Sequence, residues 1–177
     1  MMQDVVFSHV VNSLPILLAA ADTIWRFLGE SGSVMSLGMA GLGSAIGIGI
    51  AGQAAAGAWA KEARAGRNLS FTYIILVGMP ISQTLYAMIV MVNMRSVFAS
   101  PDVAIADSGL LMGVGIATGM AEMLSAWMQG LVGAAGIRAL TDGEGKGLAF
   151  IIIAMGIVET VGIFAMVFML GMLPTVG

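Results

Sequence analysis

The chain has no cysteine and one histidine, His9. The first absence excludes disulfides, thiol chemistry and Cys-based metal sites. The second excludes a cluster of histidine ligands. Charge is scarce too: Asp, Glu, Lys and Arg make up 10% of the 177 residues, where a soluble domain usually carries about 25%. The 7 basic residues are scattered and the net charge is −3, which leaves no electrostatic footprint for nucleic acid. The rest is apolar or small: 59% hydrophobic, with 25 Gly and 16 Met. This is the composition of an integral membrane protein, and so much glycine points to closely packed spanning helices.

An all-α membrane protein with two transmembrane hairpins is expected. Its four core spans are about Val34 to Trp59, Phe71 to Val92, Gly109 to Leu140 and Gly147 to Leu173. The first is crowded with Gly38, Gly41, Gly43, Gly47, Gly49, Gly52 and Gly57. In water each would cost about 1 kcal/mol relative to Ala. In lipid the backbone must satisfy its own hydrogen bonds, so the helix persists. Residues 33–97 form the first hairpin and residues 107–173 the second, with a loop around Pro101 between them. Residues 1–32 read as an added N-terminal helical segment, interfacial or spanning, with Pro15 kinking it or ending its first part. The Ala19-Ala20-Ala21 run leaves a cleaved signal peptide as a lesser alternative. Lys61, Arg64 and Arg67 follow the first span, and Arg138 and Lys146 follow the third. The positive-inside rule puts those turns in the cytoplasm. A bacterial cell membrane is the expected location.

One residue breaks the apolar pattern. Glu159 stands near the middle of Ile151 to Leu170, a stretch with no other charge. A carboxylate at mid-membrane costs at least a few kcal/mol, so it marks a functional site by default. The second span answers it with Met79, Ser82, Gln83 and Tyr86, spaced to share one helix face. Pro80 lies in the same turn and loosens the backbone carbonyls there. The third span adds Gln129, beside Gly130 and Gly133. Each residue alone has a plainer reading: Ser82 bonding back to its own helix, Tyr86 packing, either Gln joining two helices. Together they supply a carboxylate, two amide oxygens, a hydroxyl and a loosened carbonyl. That is an oxygen cage for a small hard cation. A proton needs only the carboxyl and one partner, so the set leans towards Na⁺ with H⁺ still open. Glu122, seven residues before Gln129 and on roughly the same face, receives no role, and neither does Gln53.

The two halves also resemble each other. Ala55-Ala-Gly-Ala matches Ala134-Ala-Gly-Ile, and Ile81-Ser-Gln-Thr84 matches Ile157-Val-Glu-Thr160. The second match pairs Gln83 with Glu159, so only the second hairpin holds the carboxylate.

These motifs resemble the rotor-ring proteolipids of V-type rotary ATPases, the c or K type, in their two-hairpin form. The resemblance covers about Ser33 to Leu173. It is carried by Gly41-Leu-Gly-Ser-Ala-Ile-Gly-Ile-Gly-Ile-Ala-Gly52, Met79-Pro-Ile-Ser-Gln-Thr-Leu-Tyr86, Gln129-Gly-Leu-Val-Gly-Ala-Ala-Gly-Ile137 and Ile157-Val-Glu-Thr160. It implies a ring protomer with no catalytic site of its own. It implies Na⁺ held by Glu159, Gln129, Gln83, Ser82 and the Met79 carbonyl, with Tyr86 hydrogen-bonded to the Glu. Ser82 stands where the family has Thr, which keeps the oxygen and loses a methyl. The implied partners are identical copies in a ring, a stator subunit with an intramembrane Arg, a central-stalk subunit at the cytoplasmic turns, and lipid. The rival reading is a stand-alone small cation transporter or channel using Glu159. It is opposed by the scarcity of broken helices, since only Pro80 interrupts a span.

Overall fold

The structure, a computed structural model, describes residues 2–175. The side chains of residues 1–10, His9 among them, lie outside the described set, as do those of residues 102 and 104. The described residues form helices α1 (Met2–Arg64), α2 (Thr72–Gly78), α3 (Ser82–Val97), α4 (Pro101–Ala106), α5 (Ser108–Asp142) and α6 (Leu148–Gly171). A single 3₁₀ turn, Met79–Ile81, joins α2 to α3. Among the described residues, four segments are long and apolar enough to cross a membrane: Val11–Arg64 within α1, Thr72–Val97, α5 and α6.

The N-terminal segment is helical, and it is continuous with the first hairpin helix rather than separate from it. α1 holds 63 residues with Pro15 inside, a length of about 95 Å. Pro15 removes one backbone donor but does not end the helix, and no proline follows until Pro80. The hydrocarbon core of a bilayer is about 30 Å thick, so α1 is roughly three times longer than one crossing needs. Its bundled part begins near Arg26, whose Nη2 donates to the Phe98 carbonyl at 3.1 Å. The loop expected between the hairpins also has more structure than its composition suggests. α3 runs on to Val97, and α4 starts with Pro101 in its first turn, where a missing N–H costs nothing.

α1 and α5 lie side by side and parallel, and glycine sets their spacing. A Cβ on Gly130 would collide with the backbone of Gly47, and one on Gly115 with the backbone of Gly32. A Cβ on Gly43 would collide with the backbone of Met123. Backbone therefore touches backbone along most of the seam, the close approach that small residues allow in membrane helices. At the basic end an ion pair between Lys61 and Asp142 ties the same two helices together. Glu62 is buried there as well; it accepts from the Ser70 N–H at 2.9 Å and from the Tyr73 hydroxyl at 2.6 Å.

The α2–α3 arm and α6 pack against this pair. Two apolar clusters result. One joins Ala51, Ala55, Tyr73, Leu76, Ile137, Leu140 and Met155. The other joins Val90, Met94, Val97, Phe98, Leu111 and Val114, with Met166, Met169 and Leu170 against it. Between them lies a layer of polar side chains, in which Gln83, Glu122 and Gln129 are each 0% exposed.

Candidate ion-binding site

The polar layer has two walls. The first is built at the break in the second span. Without an N–H, Pro80 cannot continue the α-helical ladder, and the chain tightens to a 3₁₀ turn at Met79–Ile81. This turn brings three oxygens together. The Ser82 Oγ lies 3.0 Å from the Met79 carbonyl oxygen and 3.2 Å from Gln83 Oε1. One hydroxyl proton cannot serve both acceptors at once. The cluster thus has more acceptor capacity than its donor can satisfy.

The second wall comes from α5 and α6. Tyr86 donates its hydroxyl to Glu159 Oε1 at 2.8 Å, bridging from α3. Gln129 Nε2 lies 3.3 Å from the Met155 carbonyl and 3.5 Å from Glu159 Oε2. Gln129 Oε1 is buried and has no hydrogen-bond partner among the described residues. A buried acceptor left without a donor is costly, and a cation beside it would remove that cost. Glu159 itself is half-buried. The structure therefore brings Met79, Ser82, Gln83, Tyr86, Gln129 and Glu159 into one layer. Gln53 stands apart from it, exposed on α1 beside Lys61 and Arg138 in a cavity of about 370 Å³.

Two serines that a linear reading passes over hold the site in shape. Ser125 of α5 accepts from Gln83 Nε2 at 3.3 Å and donates to the Val158 carbonyl at 3.0 Å. It links both walls one residue before Glu159. Its place four residues before Gln129, hence on the same face, was the available signal. Ser44 of α1 donates to the Pro80 carbonyl at 2.6 Å and accepts from the Thr84 hydroxyl at 2.7 Å. It thus holds one carbonyl of the 3₁₀ turn. No local pattern marks it, because it sits among glycines and alanines. Ser44→Ala is expected to lower stability by about 1–3 kcal/mol, the cost of leaving a buried polar group unpaired. Thermal unfolding of the purified protein would show this, and an unchanged midpoint would count against the role.

The family model for the C subunit of ATP synthase matches the chain twice, over residues 31–94 and 112–172. The A-type ATP synthase subunit K of Methanocaldococcus jannaschii is similar, at 33% identity over 126 residues, 70% of this chain and 53% of that protein. The chain spans about half the length of that relative. The first family match runs from α1 into α3 and contains Gln83; the second covers most of α5 and α6 and contains Glu159. With four membrane-length helical segments and two consecutive matches of this kind, the chain belongs to the family of ATP synthase C subunits, as a multi-pass membrane protein with two hairpins in one polypeptide.

Proposed function

We propose that the chain is a non-catalytic, ion-translocating rotor-ring subunit of a V-type ATPase or synthase, and that Glu159 carries Na⁺. The convergence of Glu159 with oxygens from both hairpins is the observation that supports this reading. Glu159 supplies the charge. Gln129 Oε1, Gln83 Oε1, Ser82 Oγ and the Met79 carbonyl supply neutral oxygens suited to a hard cation. Tyr86 positions the carboxylate by its hydrogen bond. The ion is cargo, taken up and released on every turn.

Coupling follows from electrostatics. With its cation, Glu159 forms a neutral unit that lipid tolerates as the ring turns. Emptied, it is a bare carboxylate that lipid rejects. It must then stay beside a fixed cation, in our reading an Arg of a stator subunit. Identical copies close the ring, and Lys61, Arg64, Arg67, Arg138 and Lys146 mark the cytoplasmic end, where a central-stalk subunit would bind.

A hydrophobic carbodiimide, which reacts with protonated carboxyls in apolar surroundings, tests the reading. Glu159 is expected to be labelled at low pH and to be protected by millimolar Na⁺ at neutral pH, read by mass spectrometry. Labelling indifferent to Na⁺ would make the cargo H⁺. Absence of labelling under every condition would end the ion-carrier reading.

A further inference from the structure

Glu122 takes no part in the cage described above. It is 0% exposed on α5. Neither of its carboxylate oxygens has a hydrogen-bond partner among the described residues. The fold makes room for it from the opposite side. Gly162 of α6 faces it, and a Cβ on that glycine would overlap Glu122 Oε2 and come within 3.4 Å of Gln83 Cγ. The absent side chain is the space the carboxylate occupies.

Among the described residues this carboxylate has no basic partner. On α5 the nearest cation is Arg138, 16 residues further on and about 24 Å along the axis. On α6 the side chains from Leu148 to Gly171 include no base. On α3 the only base, Arg95, lies 12 residues beyond Gln83, about 18 Å along the axis, and is exposed. On α1 the described side chains from Ser31 to Ala60 include no base. The titratable groups that do face it, Glu159 of α6 and Tyr86 of α3, can bring only negative charge, and the charge of Glu159 bears directly on it. A bare carboxylate, fully desolvated and beside a second acid, cannot stand without a compensating charge.

We propose that Glu122 binds a second monovalent positive charge, Na⁺ or H⁺, so that each protomer holds one such charge on Glu159 and another on Glu122. This goes beyond the single-ion reading and does not depend on it. Glu122 needs its counter-charge whatever Glu159 carries. The two sites share a layer, so emptying one alters the field at the other.

The test uses the purified, detergent-solubilised protein and its E122Q and E159Q variants at neutral pH in saturating Na⁺. Bound Na⁺ per protomer is counted with radioactive Na⁺. Infrared difference spectra record the carbonyl stretch of protonated carboxylic acids. The expected result is the loss of one bound positive charge per protomer in E122Q. If the charge is Na⁺, the count falls by one per protomer. If it is H⁺, the count stays the same and a protonated-carboxyl band present in the parent disappears. An unchanged count together with an unchanged carboxyl spectrum would overturn the proposal. Glu122→Met, apolar and of similar length, is read in the same way should E122Q assemble poorly. E159Q reports on the other site: a count it leaves unchanged would defeat Na⁺ binding at Glu159 without touching the claim for Glu122.

Discussion

Glu159→Gln is expected to reduce ATP-coupled ion transport in reconstituted vesicles to background while the protein still folds. The amide keeps the shape of the side chain and removes its charge. At a contact of about 2.4 Å, a carboxylate oxygen and a unit cation attract by roughly 7 kcal/mol at an effective dielectric near 20. Stripping water from both partners opposes this. Even if two thirds cancels, about 2 kcal/mol remains, a factor of roughly 30 in affinity. Transport falls much further than affinity, because a neutral amide cannot alternate between a form that lipid accepts and a form that a stator cation holds. Folding is spared for the same reason: the substituted side chain is uncharged and lies in a polar layer. Retention of coupled transport at more than a few per cent would remove Glu159 from the mechanism. Loss of the folded protein would show that the carboxylate is structural.

The second large effect is expected from Gly130→Val. A side chain there meets the backbone of Gly47, which cannot rotate away as a side chain can. Overpacking a well-packed core typically costs about 1–3 kcal/mol, and the cost is highest when the obstacle is main chain. The damage would not stay at the seam. Gln129 is the neighbouring residue, and Ser44, three residues before Gly47, holds the Pro80 carbonyl. Parting α1 from α5 therefore pulls the two walls of the site apart. The expected outcome is a steep loss of assembled protein in gel filtration, with carbodiimide labelling of Glu159 no longer protected by Na⁺ in what survives. Gly38→Ala is the comparison, since a Cβ there meets nothing within 4 Å in the protomer. Equal behaviour of the two variants would refute glycine-set spacing at Gly130.

The residues show unevenly how much of this architecture a sequence reveals. Glu159 was legible because a lone charge in an apolar stretch has no neutral explanation. Gln83, Ser82 and Tyr86 were legible because helical spacing alone puts them on one face. The four spans followed from composition and length. The 3₁₀ turn was half legible: Pro80 announced a disturbance, but only the packed structure shows its carbonyl turning to Ser44. Ser44 is illegible as a support because serine is small, neutral and common among packed glycines, and the sequence shows only the face of Ser125, four residues before Gln129. Their roles depend on which helices meet, and that is a tertiary fact. The continuity of α1 through Pro15, where a kink or a break is expected, and the short helix α4 are hidden for a different reason. Local breaker signals compete with helix propagation, and here propagation wins. Glu122 is legible as a charge on one helix face, but sequence gives that face and not its burial.

Neither hairpin contains all the residues of the proposed site. Met79, Ser82, Gln83 and Tyr86 come from one, and Gln129 and Glu159 from the other, joined through Ser125. Among the described residues, the connection that includes α4 supplies no oxygen to the proposed cage, yet it keeps the halves in permanent company. It acts as a concentration device. For short flexible linkers the effective concentration of one tethered partner at another reaches about the millimolar range, far above what two separate half-chains would reach in a membrane. The stoichiometry of the halves is likewise fixed at one to one by covalent linkage. A chain built this way cannot assemble a carboxylate without its neutral counterpart beside it, whatever its level of expression.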